Sequence, residues 1–305
     1  MAEAARGVAA PSGGRRLAGL FHRHRGLTPY ALLAPGLIWL ALFFVVPLGF
    51  LAYQSLETQD LILFTTSFDW AWHNYSDAIT TYDAQFVRSF EYAGIATVVA
   101  LLVSYPLAYW IAFRGGRWKN LFLLLVIAPF FVTYLIRTLA WQTILSDNGV
   151  VVSILKHLHV LGSDGRLLAT SAAVVAGITY NFLPFMVLPL YVSLEQLDTS
   201  LIEAAQDLYA SRLKAFLRVT LPLSLPGVFA GTLLTFIPAM GDFINAALLG
   251  TPRQYMIGNI IQSEFLSVRD YPTAASLSFV LMAAILVLVI LFARILGTER
   301  LTVAA

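Results

Sequence analysis

Apolar positions along this chain are gathered into long blocks separated by short polar intervals, with no alternation of period two. The blocks cover residues 31–53, 90–113, 121–144, 170–192, 227–249 and 273–296. A helix needs roughly 20 residues to cross a hydrocarbon core, so the pattern predicts six transmembrane helices. A barrel would read as short alternating segments and is excluded. The expected fold class is an all-α integral membrane protein with its spanning domain over residues 31–297. Composition agrees: 59% of the 305 residues are hydrophobic and 12% charged, more apolar surface than one soluble core can use.

Charge adds orientation. Arg6, Arg15, Arg16, Arg23 and Arg25 precede the first block, Arg114, Arg117 and Lys119 follow the second, and Arg212, Lys214 and Arg218 precede the fifth. The first interval instead carries Glu57, Asp60, Asp69, Asp77 and Asp83 against Arg88. Basic flanks stay in the cytoplasm, so both termini are expected there. Residues 1–30 read as a basic arm without fixed structure, 298–305 as a cytoplasmic tail, and the first block as a retained anchor, too long for a cleaved signal. The net charge of +2 gives no reason to expect nucleic acid. There is no cysteine, which excludes disulfides and thiolate chemistry. The histidines, with His22 and His24 in the arm and His157 and His159 two apart, make no metal site, and no cofactor or catalytic residue is expected. The external stretch "SFDWAWHNYSDAITTYDAQF" reads as short interfacial helices.

One polar interval has a design of its own. In "LIEAAQDLYASRLKAFLRVTLPLSLPG", residues 201–227, Thr199 or Ser200 is expected to cap a helix carrying Glu203 and Asp207. "SRLKAFLRV" then sets Leu213, Phe216 and Leu217 on one face, and Pro222 and Pro226 are expected to end it. Two such helices suit docking of a soluble partner. The chain has no G-x-x-x-x-G-K-[ST] loop to cradle a nucleotide. Energy must come from elsewhere.

The residues "EAAQDLYASRLKAFLRVTLP" resemble the cytoplasmic coupling loop of ATP-binding-cassette importer permeases: EAA, three residues, Gly, nine residues, Ile, one residue, Leu-Pro. Glu203, Ala204, Ala205, Leu221 and Pro222 match, Val219 replaces the isoleucine, and Tyr209 stands where the family has glycine. The resemblance implies a type I importer permease fold in a bacterial inner membrane. It also implies an ATPase seated on a loop of residues 195–226, with Glu203, Ala204, Ala205, Asp207, Tyr209, Leu221 and Pro222 as its coupling residues.

"NFLPFMVLPLYVSLEQLD", "FIPAMGDF" and "MIGNIIQSEFLSVRDYPTAAS" are similar to the permeases of spermidine/putrescine importers, and more to the first of their two permeases. The partners so implied are a second permease, two copies of an ATPase, a periplasmic or lipid-anchored binding protein and membrane lipid. Related importers carry other organic cations, iron carriers or organic acids. A self-sufficient secondary transporter is the competing class, but it leaves the loop match unexplained.

Charges inside apolar blocks are the candidates for the pathway. Arg137 and Asp242 each stand about 16 residues into a span, counted from Leu121 and Pro226, which at about 1.5 Å per residue puts both about 24 Å deep. They are expected either to pair with each other or to serve the substrate. Trp141, Tyr180 and Phe131 offer rings for an ammonium group or for ordinary packing. Pro184 and Pro189 are expected to interrupt the fourth span, Pro238 and Gly241 to flank a break in the fifth, and Glu91 to open the second as an interfacial or capping carboxylate.

Overall fold

A computed structural model describes residues 28–296 except 61, 62, 64 and 163. The expected arm, up to residue 27, and the C-terminal tail lie outside the described residues. The chain divides after Gln54 into two units. The first is one helix, α1, running as Thr28–Leu40, a wide π turn at Ala41–Val45, and Val46–Gln54. The wide turn stands just before Pro47, whose ring would collide with the carbonyl of Phe43 in an ordinary α turn.

The second unit opens with a hairpin the all-α expectation missed. Strands β1 (Glu57–Asp60) and β2 (Thr65–Phe68) pair antiparallel, Glu57 opposite Phe68 and Asp60 opposite Thr65. Gln59 fixes the hairpin from outside its ladder, because its amide donates to the Arg269 carbonyl and accepts from the Tyr271 N–H at 3.1 Å. Of the expected interfacial helices, α2 (His73–Thr81) forms. Helix α3 then runs Asp83–Arg114, starting before the expected residue 90. At its outset Tyr82 donates to Glu264 Oε1 at 2.9 Å, and burial, then the nearby Glu264 carboxylate, pushes the Tyr82 hydroxyl up to about 12.

The third and fifth spans are not straight helices. Residues Gly116–Phe131, which include α4 (Lys119–Ile127), meet Tyr134–His157 at 94°. The latter limb comprises α5 (Tyr134–Leu145) and α6 (Val150–His157). Val132, with φ −100° and ψ 137°, is extended, and Thr133 follows at ψ 146°. The equal depth of Arg137 and Asp242 assumed straight helices and does not survive this corner. Helix α7 (Ser171–Glu195), by contrast, passes through Pro184 and Pro189 without interruption. Neighbouring helices let a spanning helix keep an interior proline.

After α8 (Thr199–Asp207), helix α9 (Arg212–Leu223) continues through Pro222 instead of stopping there, with a π turn at Phe216–Thr220 easing the ring as it does before Pro47. It meets α10 (Leu225–Met240) at 61°. Pro226 lies in the first turn of α10, where its missing N–H costs nothing. The expected single span over 227–249 ends at Met240, and α11 (Ile244–Leu249) resumes after a break at Gly241–Phe243. Short α12 (Ile257–Ser263) and the long α13 (Tyr271–Leu296) complete the unit.

Small residues hold these helices together. Ala93, Ala96, Ala100, Ser104, Ala108 and Ala112 form a buried stripe on α3, and α7 offers Ile178, Met186, Val187, Leu190 and Leu194 to the core. On α10, Gly227 and Gly231 are four apart and touch α7: a Cβ at Gly227 would lie 2.5 Å from the Ser193 Cβ, and one at Gly231 2.8 Å from the Met186 sulfur. Lipid offers helices no hydrophobic reason to associate, so close backbone approach at small residues supplies the contact instead.

Candidate functional site

The loop between α7 and α10 is built by its caps. Asp198, not Thr199 or Ser200, caps α8: its carboxylate accepts from the Ser200 N–H at 2.9 Å. Ser200, through its backbone first and its side chain second, holds that carboxyl below the usual aspartate range. At the other end Tyr209 N–H reaches the Gln206 carbonyl at 2.9 Å and Ala210 N–H the Ala205 carbonyl at 3.1 Å. These two bonds make a Schellman turn, whose pivotal residue must be left-handed and is usually glycine. Here it is Tyr209, at φ 60°. The turn expected from glycine is therefore kept with a bulky residue, at a backbone cost of about 1–2 kcal/mol.

The ring of Tyr209 is 98% exposed and the neighbouring Leu208 83%. Glu203, Ala204, Asp207 and Pro222 are also exposed, while Ala205 and Leu221 are half-buried. Ser211 caps α9 by accepting from the Lys214 N–H at 3.4 Å. Lys119 bonds Glu195 at 2.8 Å, so the basic end of α3 and α4 and the loop end of α7 share one side of the unit.

Away from the loop, the expected pair Arg137 and Asp242 makes no ion pair. The ion pairs among the described residues are Lys119 with Glu195 and Arg166 with Asp147. Asp242, 6% exposed, closes the break after α10: Oδ1 accepts from the backbone N–H of Ile244 at 2.9 Å and of Asn245 at 3.3 Å. Oδ2 accepts from Tyr134 at 3.0 Å and from the Asn245 amide. Both oxygens are thus occupied from within the fold. The Asn181 amide extends the network, donating to Asn245 Oδ1 at 3.1 Å and to Thr138 at 3.2 Å.

Arg137 lies between ring faces instead, 5.0 Å from the centroid of Phe130 and 5.6 Å from that of Tyr134. Its Nε and Nη1 are buried without a hydrogen-bond partner among the described residues. Trp141 and Tyr180 do come together, ring centroids 5.3 Å apart. Phe131 stands apart from them, 82% exposed.

Sequence reasoning missed Tyr134, Asn181 and Asn245. The two asparagines carried a signal, since an amide in an apolar block must find partners. Glu91 was misplaced, because α3 begins at Asp83 and leaves it in the third turn instead of at the opening.

These features were compared with known proteins. The family described as "Binding-protein-dependent transport system inner membrane component" matches residues 104–298. The chain belongs to that family. It is a multi-pass inner-membrane permease of an importer class, a transport subunit by family, mostly helical and with four to six candidate spans among the described residues, according to how the bent pairs are counted. Among its relatives is the spermidine/putrescine transport system permease protein PotB of Haemophilus influenzae, 38% identical over 254 residues, covering 82% of this chain and 88% of the relative. PotB of Escherichia coli is 38% identical over 244 residues, with 80% and 88% covered. The inner membrane ABC transporter permease protein YdcU of Escherichia coli is 30% identical over 297 residues, with 92% and 94% covered. Among solved structures, a bacterial ABC transporter involved in import of the acidic polysaccharide alginate superposes with TM-score 0.65 at 20% identity, covering 92% of this chain and 98% of that one. That likeness shows the fold alone.

Proposed function

We infer that this chain is one of two permease subunits of an ATP-driven importer for aliphatic polyamines of the spermidine and putrescine type. The observation that carries the reading is 38% identity to PotB over four-fifths of the chain. Two copies of a separate ATPase dock on α8 and α9 and hydrolyse the ATP. A periplasmic or lipid-anchored binding protein delivers the substrate at the opposite face. Both termini are cytoplasmic, which the basic residues around Lys119 and on α9 support.

In this reading the exposed surface of Glu203, Ala204, Asp207 and Tyr209 receives the ATPase. Half-buried Ala205 and Leu221 hold the loop to the spans, and the exposed Pro222 faces the ATPase, so that closure of the ATPase pair moves α9 and α10 together. Among the pathway residues, Trp141 and Tyr180 face incoming substrate, while Arg137, Phe131 and Asp242 act on the pathway through the walls they build.

Purifying the chain with its co-expressed partners, and measuring uptake of labelled spermidine, putrescine and unrelated solutes into proteoliposomes, tests the reading. ATP-dependent uptake confined to polyamines is expected. The buried guanidinium of Arg137, short of partners, favours an anionic solute as the second reading. Uptake of a labelled organic acid in place of spermidine would establish it.

A further inference from the structure

A groove of about 680 Å³ lies between α3, α5 and α7, at the end of the unit remote from the coupling loop. Glu91, Trp141 and Tyr180 all line it, with Ile95, Val175 and Leu183 as apolar walls. Glu91 is exposed in the groove, and its carboxylate has no hydrogen-bond or ion-pair partner among the described residues. Arg88, one turn earlier on α3 and also at the groove, is held elsewhere: its Nη1 donates to the Tyr255 carbonyl at 2.7 Å.

Position makes this carboxylate unusual. Helix α3 has 32 residues and is about 48 Å long, about 18 Å more than the hydrocarbon core it crosses. Glu91 is about 12 Å from its start, which for a centred helix is just inside the hydrocarbon boundary. An ionisable group there is costly, and is kept where a cavity, a partner or a ligand compensates it. Asp242 has such compensation within the fold. Glu91 does not.

A cation entering this groove meets a carboxylate with free lone pairs and two ring faces in contact. Carboxylates give ammonium groups charge-assisted hydrogen bonds, and Trp and Tyr faces attract them electrostatically. With Arg88 donating to the Tyr255 carbonyl and the Tyr92 hydroxyl bonded to Ser171, a groove of one open carboxylate and mostly apolar remaining wall fits a chain of methylenes ending in an ammonium. We propose that Glu91, with the Trp141 and Tyr180 rings, is the station that binds one terminal ammonium of the polyamine, while its methylene chain lies along Ile95, Val175 and Leu183. The proposal rests on the polyamine reading above and moves the cation site from Asp242 to a residue outside the buried network.

The test uses the complete transporter with its binding protein in proteoliposomes and labelled spermidine well below saturation. Glu91→Gln is expected to lower uptake at least tenfold, with complex yield and basal ATPase activity within twofold of wild type, and Glu91→Asp to recover a third or more. Uptake by the Gln variant within twofold of wild type overturns the station, as does a loss of yield with uptake per assembled complex unchanged. Should the Gln variant not assemble, Trp141→Leu, which removes the ring and keeps the apolar wall, is expected to lower uptake at least threefold. Normal uptake by that variant also overturns the proposal. A wild-type complex that imports no polyamine rejects the substrate reading itself, a failure distinct from that of Glu91.

Discussion

Tyr134 donates its hydroxyl to Asp242 Oδ2 at 3.0 Å, joining the start of α5, just past the corner of the third span, to the break in the fifth. Each partner sits where its helix is interrupted, so one hydrogen bond ties two irregular places in the membrane to each other. Asp242→Ala would leave Tyr134, Asn245 and two backbone N–H groups short of an acceptor. Unsatisfied buried donors cost about 1–3 kcal/mol each, and with relaxation a loss of about 3 kcal/mol is expected. Thermal unfolding of the detergent-purified subunit reads it. Lost uptake with an unchanged midpoint would instead assign the carboxylate to the substrate.

Gly227→Ala is expected to destabilise the α7–α10 contact by about 1–3 kcal/mol, the usual range for overpacking. The new methyl would meet the Pro189 carbonyl oxygen at 2.8 Å as well as Ser193, and a backbone atom cannot swing aside. Gly36 and Gly94, where an added Cβ meets nothing within 4 Å, serve as controls. If all three alanine variants unfold at one temperature, the close approach is not a source of stability.

In the loop between α7 and α10, Glu203→Lys reverses a charge on the exposed face of α8 and, on the proposed docking of the ATPase there, is expected to abolish ATPase association, with substrate affinity of the binding protein unaffected. Tyr209→Gly separates ring from backbone. It relieves the left-handed residue, stabilising the turn by about 1 kcal/mol, and is expected to weaken ATPase association because the exposed ring is gone. Full association by the glycine variant would show that the ring is merely tolerated.

The cap of α8 carries a pH dependence. Its carboxyl is held below the ordinary value of about 3.9 in the folded loop, so its stabilisation is fully present above that pH and fades as the pH falls through the depressed folded value. Amide exchange at Ser200 and Leu201 is expected to quicken below about pH 4. Asp198→Asn, which caps without a charge, should remove that acceleration. The same acceleration in the asparagine variant would move its cause elsewhere.

Legibility in the sequence followed from what each signal measures. Hydropathy counts apolar residues and so found four blocks that are long single helices and two that are bent pairs among the described residues, but it is blind to direction. The corner at Val132–Thr133 stayed hidden, although Pro129 marked its neighbourhood, whereas the break at Gly241–Phe243 falls where Pro238 and Gly241 led one to be expected. Depth reckoned along straight helices consequently paired Arg137 with Asp242, when the second had partners among residues read only as helix filler. The two short helices α8 and α9 were legible because they are set by local capping and by spacing along the chain. Even there, Asp198 took the cap from Thr199 and Ser200, since it lies one residue further out and its carboxylate accepts more strongly than a hydroxyl. The hairpin went unread because its strands have only four residues each and are polar.

The corner in the third span also bears on how the protein is made. Helix α5 has 12 residues and rises about 18 Å, short of the roughly 30 Å that a segment must cover to be stable alone in lipid. The extended backbone at the corner would moreover face acyl chains with its polar groups bare until neighbouring helices cover it. During synthesis the third span is therefore a poor substrate for one-at-a-time insertion. It settles as a pair with α7, whose Asn181 supplies a partner for Thr138 on α5. In chains truncated after residue 157, a cysteine placed at Thr138 is expected to react with a water-soluble thiol reagent, and in chains truncated after residue 195 to be shielded from it.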